Sequence, residues 1–344
     1  MSAGFSTYLN FLRISAALVV FLSHASYSRF GGPFDLPEHL DHEAVVVFFV
    51  LSGYVIAYVS AERERTAAAY LISRAARIFS VAIPALAITY AIDALVLHEP
   101  AYQLAAPWKY LPIFLTFTTD IWFLKLDAFS NAPYWSLCYE VWYYLIFAAA
   151  IFLRRFLRLA AIFCGLLIVG PRVWLLFPLW LAGVAVYRLH RGGGLPIFPA
   201  RLIFSASLGI LVAIWIGGYD LQIDRWIDGM SGGWIWERLR YSRYFGGDWL
   251  DGLIIALNIY AARYAGLSFG RARRFVDGAA AFSFTLYLVH FPLVEAAAHF
   301  HAPAWLLLAG VLIACWLVGL VTERQKDKLR QRLLGMAAAL HIVA

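Results

Sequence analysis

The chain has 344 residues, 62% of them hydrophobic and only 14% charged, with a formal net charge of +7. Soluble domains carry about 25% charged residues, so this composition excludes an ordinary soluble protein and points to a membrane chain of many spans. The basic excess then reads as arginine in cytoplasmic loops and gives no reason to invoke nucleic acid. Three cysteines, Cys138, Cys164 and Cys315, lie scattered in apolar segments, which fits neither a disulfide framework nor zinc-ligand spacing. The start has no Lys/Arg-rich lead and no small-residue cleavage site, so it reads as an uncleaved first span.

In chain order, the first span covers residues 8–27. An acidic, polar connection follows, with Pro33, Asp35, Pro37, Glu38, His39, Asp41, His42 and Glu43. The second span is 44–61, closed by Glu62-Arg63-Glu64-Arg65. Residues 67–79 read as an interfacial helix feeding a third span at 80–97. The block 108–124 is apolar but short, with Pro112 inside and Thr116, Thr118, Thr119 and Asp120 in its second half. Later spans are 134–153, 159–169, 173–189, 202–219, 249–267, 282–300 and 304–321, with a long polar connection at 220–247. The basic stretch 323–334 is helix-prone and reads as a surface helix. The predicted organisation is an all-α membrane domain over 1–322 and a cytoplasmic basic tail over 323–344.

Loop charge decides how to treat 108–124. Arginine and lysine cluster at 63–77, 154–158, 188–201, 271–274 and 324–332, and all should face the cytoplasm. They do so only if 108–124 dips in and returns, or lies at the interface. That gives about ten spans with both termini cytoplasmic. Re-entrant backbone is tolerated where protein buries it or a wet cavity lines it.

Ionisable residues inside spans are costly and are, by default, functional. Arg13 and His24 share the first span, eleven positions apart. That is about three turns, so both face nearly the same way with a rise of about 16 Å between them. The topology puts Arg13 near the cytoplasmic face and His24 about 10 Å from the outer one. Glu140 lies at a similar depth in the span that enters at Pro133. A carboxylate at matched depth suits a His–carboxylate pair in which it orients the ring; separate satisfaction of each group is the alternative.

Arg74 and Arg77, three apart at the cytoplasmic surface, suit phosphate recognition or lipid headgroup contact. Ser52, Gly53 and Tyr54 put small polar residues near mid-membrane, for close helix packing or for backbone approach to a ligand. Asn131, Trp135 and His290 are candidate substrate contacts; His290 equally suits a satisfied core histidine. Trp108, Trp122, Tyr134 and Trp135 suit sugar stacking or an interfacial belt. The His39–Glu43 loop lacks diagnostic ligand spacing, so no metal site is expected.

Taken together, the motifs resemble the acyltransferase-3 family of membrane O-acyltransferases. The carriers are Arg13 and His24, Phe48-Phe49-Val50-Leu51-Ser52-Gly53-Tyr54, and Arg74-Ala75-Ala76-Arg77-Ile78. Asn131-Ala132-Pro133-Tyr134-Trp135-Ser136-Leu137-Cys138-Tyr139-Glu140 and Phe282-Ser283-Phe284-Thr285-Leu286-Tyr287-Leu288-Val289-His290-Phe291-Pro292 follow in the family's order. One departure is that Ile78-Phe79-Ser80 follows Arg77, where family members usually carry a proline; here Pro84 comes later.

The resemblance implies a bacterial inner-membrane enzyme of about ten spans, in the stand-alone form. It would move acetyl or a similar group from cytoplasmic acyl-CoA to a hydroxyl of a lipid-linked or envelope carbohydrate. It implies essential roles for Arg13 and His24, and places Arg74 and Arg77 at the donor. No resident cofactor is expected, and the bilayer, acyl-CoA and a glycan acceptor are the expected partners. His24 would be the general base with Glu140 behind it; Ser52, Tyr54 or Asn131 are candidate oxyanion donors. A transporter or flippase for a glycan or lipid-linked sugar is the alternative. A polyprenyl transferase is disfavoured by the lack of an aspartate-rich motif in any predicted cytoplasmic loop.

Overall fold

The computed structural model describes residues 1–27, 36, 39–98 and 102–339. Pro33, Asp35, Pro37 and Glu38 of the acidic connection lie outside the described residues. The described chain is all-α, its one extended pairing being an isolated bridge between Ala128 and Asn131.

The helices are α1 (Ala3–Ala25), α2 (Leu40–Glu62), α3 (Ala67–Ile92), α4 (Tyr102–Ala105), α5 (Pro107–Leu115), α6 (Trp135–Phe152), α7 (Arg155–Val169) and α8 (Pro171–Gly192). They continue with α9 (Ile197–Gly217), α10 (Tyr219–Met230), α11 (Trp234–Arg238), α12 (Phe245–Ala262), α13 (Ala272–Ala280), α14 (Ser283–His299), α15 (Ala304–Val321) and α16 (Lys326–Ala339). Short stops and starts follow from local chemistry. Thr66 caps α3 by accepting from the Ala69 amide at 3.2 Å, and Gly218 ends α9 in the left-handed region at φ 60°.

Among the described residues seven helices are long and apolar enough to cross a membrane, or eight with the bent pair α13–α14. The sequence pattern suggests about ten. Of the expected spans, α7 has only 15 residues, and Asp248, Asp251 and Asn258 dilute the apolar character of α12. In the block 108–124, α5 is nine residues long, about 14 Å, too short to cross. The chain then runs in turns to Asn131. This segment is held rather than loose. Buried Asp93, in the π-turn that follows α3, accepts from the Ser130 amide at 2.9 Å and its hydroxyl at 2.7 Å.

Contacts divide the chain into two units. The first comprises Met1–Val19, Pro37–Glu62 and Val169–Ala280. Its centre is the crossing of α2 and α8. A Cβ on Gly53 would lie 1.8 Å from the Trp180 carbonyl oxygen, and one on Gly183 would lie 2.0 Å from that of Val50. Apolar burial does not drive helices together in lipid, so close backbone approach at small residues sets such contacts. Asn258 ties three helices of this unit. It accepts from the Tyr8 hydroxyl and donates to the Phe204 carbonyl at 3.1 Å and to Ser207 Oγ at 3.0 Å.

The second unit comprises Val20–Leu36, Arg63–Ile168 and Ala281–Ala344. Here α14 packs on α3 and α15, and α16 packs on α3, where Arg330 Nε donates to Ser73 Oγ at 2.7 Å. The basic tail is thus part of this unit. Pro292 sits inside α14. Having no N–H, it leaves the Leu288 carbonyl without its helical donor. The buried amide of Asn131 fills the place, with Nδ2 at 2.9 Å from that oxygen.

Candidate active site

The last turn of α1 presents His24, buried, to His290 of α14 within the second unit. His24 Nδ1 lies 2.8 Å from His290 Nε2. The two rings are nearly parallel, at 11° with centroids 5.1 Å apart. Phe291 and Tyr27 stand edge-on to His24, and Phe21 edge-on to His290.

The proton positions follow from one further contact. His290 Nδ1 lies 2.8 Å from the Leu286 carbonyl oxygen. A carbonyl only accepts, so Nδ1 carries the proton. In the neutral pair His290 Nε2 is then the acceptor, and His24 Nδ1 is the donor. The lone pair of His24 therefore resides on Nε2. A proton taken there leaves an imidazolium whose Nδ1–H already points at an acceptor.

This corrects the expected role of Glu140. Its carboxylate accepts from the Tyr144 hydroxyl, one turn further along α6. It lies in the neighbourhood of Arg74 and Arg77, both of which act on Tyr144. Depth along a span can be read from residue count; the direction a side chain faces cannot, and Glu140 faces the arginines.

Those arginines form a buried network in the second unit. Arg74 Nη2 reaches both oxygens of buried Glu64, at 2.9 and 3.1 Å. Its guanidinium lies over the rings of Tyr70 and Tyr144, at 5.6 and 6.0 Å. Arg77 lies over the Phe284 ring at 5.9 Å, in the field of Glu140 and Glu323. Glu323 in turn accepts from the Thr285 amide at 3.1 Å and its hydroxyl at 3.2 Å. Three carboxylates thus stand around two guanidinium groups. The expected phosphate clamp is therefore neutralised as it stands. One buried donor, Arg74 Nε, has no hydrogen-bond partner among the described residues.

A family model described as an acyltransferase domain matches residues 6–324, nearly the whole chain. The chain belongs to the acyltransferase-3 family. No curated protein and no solved structure gives a match. Membership makes this a membrane acyltransferase, a multi-pass chain whose general chemistry is acyl transfer.

The remaining motif residues of this acyltransferase divide by unit. Arg13, half-buried on α1, belongs to the first, as do Ser52, Gly53 and Tyr54. Ser52 Oγ accepts from Trp180 Nε1 at 3.2 Å, and Tyr54, fully buried, meets His190 Nδ1 at 3.1 Å. With Gly53 at the α2–α8 crossing, this stretch is engaged in packing, the first of the two readings the sequence left open.

Asn131, Trp135 and Ser136 belong to the second unit. Asn131 gives its amide hydrogens to Leu288 O and to Thr89 Oγ1, at 2.9 and 3.1 Å. Its buried Oδ1 has no hydrogen-bond partner among the described residues. It offers an acceptor, which corrects its candidacy as an oxyanion donor. Trp135 is buried edge-on to Tyr139, so it is no open stacking face. Tyr287 Oη sits 2.9 Å from Ser136 Oγ and 3.2 Å from the Pro133 carbonyl.

Sequence reasoning missed Glu64 and Tyr144. Glu64 lay inside the charged run after the second span and read as loop. Its signal was no more than a carboxylate ten residues before Arg74, just ahead of the helix that carries it. Tyr144, at i+4 from Glu140, was recoverable from helical spacing.

Proposed function

We propose that the protein transfers an acyl group, acetyl in the simplest case, from acyl-CoA to a carbohydrate hydroxyl of an envelope or exported glycan. Its setting is the bacterial cytoplasmic membrane, with both termini cytoplasmic. The observation that carries the reading is the chain His24–His290–Leu286 carbonyl, which supports His24 Nε2 as a general base. Family membership supports acyl transfer in general; the thioester donor and sugar acceptor rest on the resemblance of the motifs.

In this reading His24 Nε2 removes the acceptor hydroxyl proton as the oxygen attacks the thioester carbonyl. The new C–O bond forms and the C–S bond breaks. The departing thiolate takes the proton back from the imidazolium, so the histidine pair ends as it began. His290 positions His24 and sets its tautomer. Arg74 Nε and Arg77 serve as donors to the phosphates of the acyl-CoA.

The test is release of free CoA by the full chain in nanodiscs given acetyl-CoA and acceptor glycan. His24→Ala and His24→Gln should each lower the rate by about 100-fold or more, the usual worth of a positioned general base. Wild-type rates in both would refute the assignment. Glycan translocation without acyl transfer would favour the transporter reading.

A further inference from the structure

Within the second unit, α16 lies against α3. On α16, Lys328 and Arg332 are exposed, whereas Arg330 is half-buried. Arg330 Nε donates to Ser73 Oγ at 2.7 Å, and Ser73 is itself buried. That bond uses one of the five N–H groups of the guanidinium and fixes its plane. Among the described residues, the edge formed by Nη1 and Nη2 has no acceptor and no carboxylate pairs with the charge. Ser73 stands four positions before Arg77, so the two share one face of α3, about 6 Å apart along its axis.

This sets Arg330 apart from the arginines of α3. Arg74 is paired with Glu64, and Arg77 lies in the field of Glu140 and Glu323. Tying α16 to Ser73 needs only a neutral donor. A guanidinium in that place leaves a half-buried charge with no counter-ion. Its open planar fork is the geometry that grips phosphate bidentately. The family match ends at residue 324, so membership assigns Arg330 no role. We infer that Arg330 binds a phosphate group at the seam between α16 and α3, which makes the helix after the last span part of a binding site. Two molecules carry such a group to this seam. One is acyl-CoA, with Arg77 one turn along α3, and in that form the inference rests on the acyl-transfer reading. The other is an anionic phospholipid headgroup.

The experiment compares the full chain with Arg330→Gln and Arg330→Lys in nanodiscs. CoA is titrated calorimetrically in phosphatidylcholine discs, and melting is followed in discs with and without phosphatidylglycerol. Arg330→Gln keeps an N–H for Ser73 and loses the charge and the fork, so it should raise the Kd for CoA about tenfold or more. Arg330→Lys keeps the charge without the fork and should fall between. That pattern names acyl-CoA as the source. If instead phosphatidylglycerol raises the melting midpoint of wild type and not of Arg330→Gln, the phosphate site stands with lipid as its source. Wild type that binds no CoA in that case refutes the acyl-transfer reading alone. If neither CoA affinity nor the phosphatidylglycerol effect depends on residue 330, the inference is overturned, and CoA binding by wild type still upholds acyl transfer. Should Arg330→Gln fail to fold, Arg330→Lys decides by the same two readouts, since it keeps both the charge and a donor for Ser73.

Discussion

Replacing His290 with leucine isolates what the second histidine does. Leucine nearly keeps the volume of a fully buried side chain and removes both nitrogens. His24 Nδ1 then loses the acceptor that lay 2.8 Å away. A buried N–H left without a partner costs about 1–3 kcal/mol. Neutral imidazole escapes that cost by moving the proton to Nε2, and in doing so gives up its basic nitrogen at the reacting side. At about 1.4 kcal/mol per tenfold, the active tautomer falls roughly 5- to 150-fold, and kcat falls with it. KM for acyl-CoA should stay put, because no donor contact is touched.

His290→Gln separates this from simple damage. Its Oε1 can stand near the lost Nε2 and accept from His24 Nδ1, so it should recover about tenfold over leucine. The assay is steady-state CoA release in nanodiscs, with thermal melting beside it to show that both variants fold. The reasoning fails if His290→Leu keeps kcat within about twofold of wild type. It fails equally if glutamine is no better than leucine, since tautomer control would then play no part.

Four further outcomes follow from the geometry. Gly53→Ala drives a methyl onto the Trp180 carbonyl; it should cost about 1–3 kcal/mol or more, seen as a lower melting midpoint. Glu64→Gln leaves buried Arg74 without its carboxylate and should cost about 3–5 kcal/mol, whereas Glu64→Gln combined with Arg74→Met should restore much of the loss. Burial, aided by the charge on Asp248 and opposed by the Gly247 amide, pushes Asp224 from 3.8 up to about 7. Such a raised carboxyl favours the fold at low pH, so stability should decline as pH rises from about 4 through about 7, a slope that Asp224→Asn should flatten in melts across that range. Lys125→Cys, at an exposed site, should react with an impermeant maleimide from the outer side of intact cells; reaction only after permeabilisation would reverse the orientation.

Much of this fold was legible because lipid imposes simple rules. Apolar runs of sufficient length gave the helices, and loop arginine argued that 108–124 does not cross, as the nine-residue α5 bears out. The location of His24 in the last turn of α1 was equally plain. What failed was azimuth. Residue counting matched Glu140 to His24 because depth was the only coordinate available, while His290 read as a substrate contact or a core histidine. Rotation of α6 and α14 about their axes is fixed by packing between distant segments, which a single sequence does not display. The use of Asn131 shows the same limit. Pro292 announced a missing donor in α14, but nothing in the sequence says that an amide 157 positions away supplies it.

The choice of histidine over carboxylate as the partner has a physical logic. An ionised carboxylate beside buried His24 would have to be desolvated, and that cost rivals the attraction it gains. Two neutral imidazoles ending on a backbone carbonyl carry no net charge at rest. Every nitrogen assigned in the chain from His24 Nδ1 to Leu286 O is satisfied by a neutral partner. Charge then appears only when a proton is taken from substrate, at the moment it stabilises the reacting state. Three carboxylates of this unit, Glu64, Glu140 and Glu323, are placed instead where the permanent charges of Arg74 and Arg77 require them. Permanent and transient charge are thereby kept on different residues.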